Sequence, residues 1–208
     1  MIPANPPDDA VDRRNTYRVL DSHTRYDGQK WSVRTDTVAL PGGSVQRDLL
    51  VHPGAVGIVC LDEDERMLLL QQYRHPAEGT LWEPPAGLLD EADEDPLVAA
   101  KRELYEEAHC RAADWRVLVD AFSTPGSSSE LLRVYLARGI SGIDDIERYQ
   151  GEHEEVDMPV TWVPLDEVVR RVLDGRLHNP MTVMGALAAY AARADGFEAL
   201  RPADAPRF

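Results

Sequence analysis

The segment over residues 95–108 constrains the fold most, because it is the clearest helix in the sequence. Asp95 is a good N-cap residue, and Pro96 suits the first helical position, where a missing N–H costs nothing. Apolar side chains then recur with helical period, at Leu97, Ala100 and Leu104. The pattern predicts a helix that packs one apolar face against a core and exposes the other.

Three glutamates crowd the second half of this predicted helix. Glu103 and Glu107 are one turn apart on the same face, with Glu106 beside them. Like charges at this spacing destabilise a helix by about 0.2–0.5 kcal/mol per pair, and the helix dipole at that end favours cations. Bound divalent cations would offset both effects, since Mg²⁺ binds through carboxylates, waters and substrate phosphates. The alternative is a solvated acidic helix face without chemistry.

Composition limits the partners of this chain. It has 208 residues, of which 43% are hydrophobic and 28% charged, which suits one domain, or one domain with a small appended lobe. The formal net charge of -15 disfavours generic binding to nucleic acids or anionic membranes. An anionic substrate would therefore require local metal ions or a few well-placed arginines.

The cysteines and the apolar runs bear on localisation. Cys60 and Cys110 lack the spacing of a zinc site or a disulfide framework, so we expect two reduced packing residues. Residues 1–9 have no basic region followed by an apolar core, so we expect no signal peptide. No apolar run approaches the ~20 residues that span a bilayer. We expect a soluble, cytoplasmic protein.

The chain divides into four predicted parts. Residues 1–15 are rich in proline and aspartate and form a disordered tail. Residues 16–52 form an N-terminal β lobe that dimerises, because so short a segment cannot bury its own core. Residues 53–197 form the main domain, which contains the carboxylate-rich helix, and residues 198–208 form a C-terminal tail.

Two hairpins are predicted in the first half of the chain. Residues 31–40 and 45–51 are β-prone and flank a turn with two glycines. Residues 55–61 and 67–73 flank the acidic turn at 62–65. The first arm of this second hairpin is almost wholly apolar, so we expect it to lie centrally in a sheet.

The second half alternates strands and helices. Pro84 and Pro85 exclude a regular central strand between residues 81 and 87. The remaining predicted elements are strands at 115–122, 131–137 and 158–163 and helices at 166–174 and 180–195. Gly175 and Gly196 are the expected helix terminators.

The carboxylate-rich helix belongs to a longer motif. Gly87 and Glu94 precede Arg102-Glu103-Leu104-Tyr105-Glu106-Glu107, and this succession resembles the Nudix box. Six residues rather than five separate Gly87 from Glu94, a difference that a loop absorbs at little cost. His109 stands where the box has its terminal glycine. The resemblance implies an α/β (α+β) Nudix fold, a three-layer α/β/α sandwich with a mixed sheet plus the small N-terminal β lobe.

Other segments resemble the ADP-ribose pyrophosphatase branch of that family. They are the run Gln72-Tyr73-Arg74-His75-Pro76, the run Leu81-Trp82-Glu83, and Pro125, which lies sixteen residues after His109. Two departures from the branch bear on the sugar or base preference: Pro84 replaces an apolar residue, and the run Ser127-Ser128-Ser129-Glu130 replaces the more usual aromatic and acidic residues of that loop.

The resemblance also implies residue roles around a metal. Glu103, Glu107 and the backbone carbonyl of Ala86 would ligate Mg²⁺, for which Mn²⁺ could substitute, with Glu106 adjacent. Glu155 matches the catalytic glutamate of a late loop and would take a proton from the attacking water or position it. Glu130 is the second candidate base.

Four further residues are predicted to contact substrate. Arg74 would clamp a diphosphate oxygen, with a strand-end surface charge as the alternative. Arg47 is a weaker phosphate contact, and the branch implies a homodimer with exchanged N-terminal strands that brings it near the partner's cleft. Trp82 would stack on a base, although a core aromatic is the more common role. Glu83 would contact a base or metal.

The activity implied is hydrolysis of ADP-ribose, or of a related nucleoside diphosphate sugar, to AMP and a sugar phosphate. Two alternatives stay open. One is hydrolysis of a different nucleoside diphosphate compound, and the other is a regulatory domain that binds a nucleotide sugar without turnover. The complete set of crowded carboxylates argues against the second alternative, because binding alone does not require it.

Overall fold

A computed structural model describes residues 10–91, 94–142 and 158–208. The strands are β1 (Val19–Asp27), β2 (Ser32–Leu40), β3 (Gly43–Val51), β4 (Ala55–Cys60), β5 (Arg66–Arg74), β6 (Gly79–Glu83), β7 (Ala86–Leu88), β8 (Cys110–Phe122), β9 (Leu131–Gly142), β10 (Val160–Pro164) and β11 (Arg201–Pro202). The helices are α1 (Pro96–Ala108), α2 (Leu165–Leu173) and α3 (Pro180–Ala192). Among the described residues, none of the helices combines the length and apolar content that crossing a bilayer requires.

The N-terminal lobe is a three-stranded antiparallel sheet in the order β1-β2-β3. The predicted hairpin is confirmed: β2 and β3 pair from Ser32 opposite Val51 to Leu40 opposite Gly43. Strand β1 was not predicted. It is exposed along its whole length and therefore lacks the alternation of buried and exposed residues by which a sequence reveals a strand.

The largest sheet has the order β11-β8-β9-β4-β7. It is mixed, because β4 runs parallel to β9 and antiparallel to β7. Every residue of β4 is buried, as its apolar sequence predicted for a central strand.

The predicted pairing of β4 with β5 is wrong. Strand β5 lies in a separate three-stranded sheet of order β10-β5-β6. The turn after β4 is closed by an isolated antiparallel bridge between Leu61 and Met67 and by a hydrogen bond from the Asp62 N–H to the Arg66 carbonyl oxygen. The acidic turn joins the strands in sequence, but both edges of β4 are occupied by β9 and β7. The strand therefore has no free edge for β5.

The helices cover both faces of the mixed sheet. Val56, Ile58 and Cys60 of β4 pack in one hydrophobic cluster with Leu104 of α1. Val59 lies in the other cluster, together with residues of α2 and α3. Because successive side chains of a strand point to opposite faces, one apolar strand supplies both cores. The α/β/α sandwich is confirmed.

The start of α1 and the ends of α2 and α3 agree with the residues predicted to cap or terminate them. The Asp95 side chain accepts a hydrogen bond of 2.8 Å from the Leu97 backbone N–H at the start of α1. Asn179 caps α3 in the same way, at 3.0 Å from the Thr182 N–H. Gly175 and Gly196 adopt left-handed φ values of 67° and 69° after the last two helices.

Residues 198–208, predicted as a tail, lie against the main domain. Strand β11 pairs with β8. The Arg133 guanidinium, 3% exposed, donates to the carbonyl oxygens of Ala205 and Pro206 at 2.7 and 3.1 Å. A buried arginine that needs acceptors thus holds the C-terminal segment in place.

Candidate active site

The site begins where α1 meets β7. Gly87 lies so close to Glu103 that a Cβ on this residue would stand 1.9 Å from the Glu103 Oε1 atom. A distance under 3.0 Å forces a shift, so only glycine allows this carboxylate to lie against the β7 backbone. The position of glycine before the helix therefore has a steric cause.

A second glutamate of α1 contacts the same strand. The Glu107 Oε2 atom accepts a hydrogen bond of 2.9 Å from the Ala86 backbone N–H. Glu103 and Glu107, one turn apart, thus hold consecutive residues of β7. The predicted metal-binding segment and the predicted metal-binding helix are in direct contact.

Arg102 ties the rest of the motif together. Its guanidinium donates to both oxygens of Glu94, at 3.2 and 3.1 Å, and to Glu103 and Glu106, at 2.7 and 3.2 Å. The Glu94 hydrogen bonds, more than the neighbouring charges, raise the pKa of the Arg102 guanidinium. The arginine offsets the repulsion between carboxylates and anchors the loop before α1.

The donor set fits a hard divalent cation. Glu103, Glu106 and Glu107 supply carboxylate oxygens at one end of α1, and the Ala86–Gly87 backbone lies against them. Glu103 and Glu106 turn toward Arg102, while Glu107 turns toward the Ala86 N–H. Within the described ranges, accordingly, no three acidic, histidine or cysteine side chains converge on one point.

His109 ends α1 in place of the usual glycine. It has a left-handed φ of 51°, and its backbone N–H donates to the carbonyl oxygens of Leu104 and Tyr105. This is the left-handed conformation in which a terminal glycine commonly ends a helix, and a side chain there brings strain. The motif helix therefore closes normally, two residues after Glu107.

A cleft of about 630 Å³ opens beside the motif. Its walls come from the N-terminal lobe, β5, β6, β7 and the start of α3, and include Ala86, Gly87, Arg74, Glu83, Glu130 and Trp31. The volume falls in the range of about 300–1,000 Å³ that is usual for small-molecule sites. The glutamates of α1 lie directly behind two of its wall residues, Ala86 and Gly87.

Arg74 and Glu83, both predicted to contact substrate, are paired in this cleft. The guanidinium donates from Nε to Oε1 at 2.9 Å and from Nη2 to Oε2 at 2.6 Å. Glu83 is 1% exposed, whereas the Arg74 side chain is 44% exposed. The arginine is thus presented to the cleft while the carboxylate beneath it is enclosed.

The predicted aromatic contact lies elsewhere. Trp82 is half-buried, packs against the core cluster beneath α2 and α3, and is not among the cleft residues. Strand alternation explains this, because its neighbours Leu81 and Glu83 point into the cleft and Trp82 points away. Trp31, which was not predicted, supplies an exposed aromatic face to the cleft. Its position just before β2 carries no local signal of that role.

Arg47 is separated from this cleft within the chain. It lies on β3 and lines a different groove, formed with Asp36 and the loop over residues 125–129. Its role as a phosphate contact through a partner subunit stays a prediction.

Of the two candidate bases, the structure describes Glu130. This residue lines the cleft, and its Oε1 atom lies 3.5 Å from the His52 Nε2 atom. The His52 Nδ1 atom accepts from the Gly54 N–H at 3.1 Å, which leaves Nε2 to carry the proton toward Glu130. Glu155 lies outside the described residues.

Known proteins resemble this chain in sequence and in fold. The NUDIX domain model matches residues 51–182. An ADP-ribose pyrophosphatase of Mycobacterium tuberculosis is 42% identical over 90% of this chain and 89% of its own length. A methanol dehydrogenase activator of Bacillus methanolicus is 32% identical over 76% of this chain and 84% of its own length. A crystal structure of an ADP compounds hydrolase superposes with a TM-score of 0.72 at 20% identity, covering 89% of this chain and 99% of that one.

The chain therefore belongs to the Nudix family. It is a Nudix hydrolase, and members of this family generally use divalent metal ions. The solved structure, at 20% identity, bears on the fold alone.

Proposed function

We propose that this protein hydrolyses the diphosphate of ADP-ribose, or of a closely related nucleoside diphosphate sugar, in a Mg²⁺-dependent reaction. The observation that carries the proposal is the contact of the Glu103 carboxylate with Gly87, a wall residue of the cleft. It brings the carboxylates of α1 to the cleft that contains Arg74.

Different residues of the chain would bind the metal and the diphosphate. Glu103, Glu107 and the Ala86 carbonyl would hold Mg²⁺, with Glu106 adjacent and Mn²⁺ as a substitute. The metal would stabilise charge on the diphosphate and lower the pKa of a bound water. Arg74 would bind a diphosphate oxygen.

Proton transfer would fall to Glu155, with Glu130 as the alternative. The water oxygen attacks phosphorus, the bond from phosphorus to the bridging oxygen breaks, and the carboxylate takes the water proton. The products from ADP-ribose are AMP and ribose 5-phosphate. Glu130 is supported by its place in the cleft, and Glu155 by its match to the family's late catalytic loop.

The substrate class rests on two lines of support. The Mycobacterium tuberculosis relative covers nearly the whole chain, and the cleft is large enough for a nucleotide sugar. The Bacillus methanolicus relative is a methanol dehydrogenase activator and not an ADP-ribose pyrophosphatase. Two alternatives therefore stay open, namely hydrolysis of another nucleoside diphosphate compound and binding without turnover.

We also propose a homodimer in the cytoplasm. Strand β1 is exposed over its full length and carries exposed apolar side chains, at Val19, Leu20 and Tyr26. A second copy that covers this sheet would bury them and bring Arg47 near the other cleft. Light scattering during size-exclusion chromatography measures the mass, and a monomer would remove this part of the proposal. The free thiols of Cys60 and Cys110 suit a reducing compartment.

The activity is tested by Glu107→Gln, with products identified after incubation with Mg²⁺ and a panel of nucleoside diphosphate sugars and dinucleotides. Turnover should fall by about two to four orders of magnitude, because a neutral amide is a poor ligand for a hard cation. The matched control is Glu167→Gln, in the first turn of α2 and not among the cleft residues, which should leave turnover unchanged.

Three outcomes would count against the proposal. Wild-type rates in Glu107→Gln would contradict the assignment of the metal site. AMP release chiefly from another compound would remove ADP-ribose as the substrate. Tight nucleotide-sugar binding by the wild-type protein, with no product at any Mg²⁺ concentration, would favour the binding domain.

A further inference from the structure

The Arg74–Glu83 pair spans an unusual length of sheet. In the β5–β6 register, Arg74 lies opposite Gly79, and Glu83 lies opposite Leu70. The two residues are therefore four positions apart along the strands, about 13 Å at a rise of roughly 3.4 Å per residue. Arg74 reaches the carboxylate only when its side chain lies lengthwise over the sheet.

This extended path sets the position of the guanidinium. Arg74 is the last residue of β5, at the edge of an exposed turn over residues 75–78. A side chain at such a strand end has open solvent on one side. The two hydrogen bonds to Glu83 draw the charged group away from the turn, toward the end of the cleft where Ala86 and Gly87 lie.

The enclosure of Glu83 argues against the base or metal contact that its sequence context predicted. Both carboxylate oxygens accept from Arg74, and only 1% of the side chain is exposed. A general base must reach the proton that it removes, and a metal ligand must reach the ion. Glu83 instead binds the guanidinium of Arg74 through both carboxylate oxygens.

We propose that Glu83 is a positioning residue, which orients the Arg74 guanidinium toward the diphosphate. This rests on the proposed function, in which Arg74 binds the diphosphate. A guanidinium held by two hydrogen bonds has already lost its rotational freedom. The binding of an anion therefore costs less conformational entropy.

Electrostatics alone makes the opposite prediction. Removing the Glu83 charge leaves the cleft more positive, which should tighten the binding of any anion. A positioning role for Glu83 predicts weaker anion binding in Glu83→Gln, because the Arg74 guanidinium is no longer held over the cleft. The sign of the change therefore separates the two effects.

The test is a double-mutant cycle of Glu83→Gln and Arg74→Ala, with ADP binding measured by calorimetry in EDTA and with kcat and KM measured in Mg²⁺. Glu83→Gln should weaken ADP binding and raise KM by about tenfold, with a smaller change in kcat. On the Arg74→Ala background the same substitution should change ADP binding less than about twofold. The Mg²⁺ concentration for half-maximal rate and the pH–rate profile should stay at wild-type values.

The controls address charge and folding. Glu78→Gln removes an exposed carboxylate from the turn between the same two strands, and it should leave ADP binding unchanged. Circular dichroism and a thermal melt establish that each variant folds. Should Glu83→Gln fail to fold, Glu83→Asp carries the test, because a shortened carboxylate pulls Arg74 out of place and should raise KM with the same dependence on Arg74.

Several results would overturn the proposal. They are tighter ADP binding in Glu83→Gln, additive effects in the cycle, and a shift in the Mg²⁺ dependence or the pH–rate profile. The part of the proposed function on which this rests, the binding of a diphosphate oxygen by Arg74, fails separately: in that case Arg74→Ala would bind ADP as well as the wild type, whatever Glu83→Gln does. Failure of the hydrolase activity itself would appear as wild-type protein that releases no product.

Discussion

Glu103 Oε1 occupies the space that a Cβ on Gly87 would fill, only 1.9 Å from its ideal position. A carboxylate of the helix and the backbone of a short strand are thereby in direct contact at the wall of the cleft. The same contact explains why residue 87 is a glycine, since Gly87 does not have the left-handed φ that would otherwise require one.

Replacing Gly87 with alanine should therefore displace Glu103. We expect a loss of about 1–3 kcal/mol in the free energy of unfolding, from overpacking, and a fall in turnover of at least about tenfold, from misplacement of a metal-binding carboxylate. Urea denaturation and steady-state kinetics measure the two effects. Gly42→Ala is the matched control, because nothing lies within 4 Å of a Cβ at that turn position. Equal behaviour of the two variants would contradict the steric explanation.

The choice of base is decided by two variants. Glu155→Gln should lower kcat by about two to three orders of magnitude and leave the Mg²⁺ dependence unchanged, if Glu155 takes the proton. Glu130→Gln should then have a modest effect on kcat. The reverse order of effects would assign the base to Glu130, beside His52. A weakened Mg²⁺ dependence in Glu155→Gln would make Glu155 a metal ligand instead.

Arg102 should act on stability more than on chemistry. Arg102→Lys keeps the charge but cannot donate to Glu94, Glu103 and Glu106 together, so we expect a loss of about 1–2 kcal/mol in the free energy of unfolding. Urea denaturation measures it. Arg170→Lys is the control, since Arg170 makes a comparable set of ion pairs on the exposed face of α2, and its replacement should leave the midpoint unchanged. Similar losses in both variants would refute a special role for Arg102.

Asp120 should contribute to the pH dependence of stability. Burial by itself raises the pKa of Asp120, but the hydrogen bonds and charges of Arg133 and Arg201 outweigh burial, so the pKa lies below the ordinary 3.8. A carboxylate with a lowered folded-state pKa stabilises the fold above its unfolded pKa, and that stability is lost as pH falls through the folded value.

The loss should therefore begin below about pH 4 in the wild type. Asp120→Asn should be less stable than the wild type at pH 7, because Arg133 is buried, and its stability should fall less steeply on acidification. Urea midpoints measured at pH 7, 5, 4 and 3 test this. Parallel curves for the two proteins would show that Asp120 does not titrate as described.

Several long-range features escaped prediction. Strands β4 and β9 are far apart in the sequence, and their parallel pairing leaves no signal in the residues of either strand. The hairpin expected between β4 and β5 failed for this reason. The place of Trp31 in the cleft likewise depends on how the N-terminal lobe packs, and the side of β6 that Trp82 faces depends on which face of its sheet is covered.

The sequence by itself determined the features that neighbouring residues control: the caps and ends of α1 and α3, the turn between β2 and β3, the central position of β4, and the order of carboxylates along the motif helix. Each follows from interactions within a few residues, where backbone geometry leaves few choices. Only the tertiary structure decided that Glu83 holds Arg74, that Glu103 lies on Gly87, and that Arg133 fastens the C-terminal segment. Those contacts join side chains whose neighbours are chosen by the packing of whole strands and helices, so their geometry exists only in the folded chain.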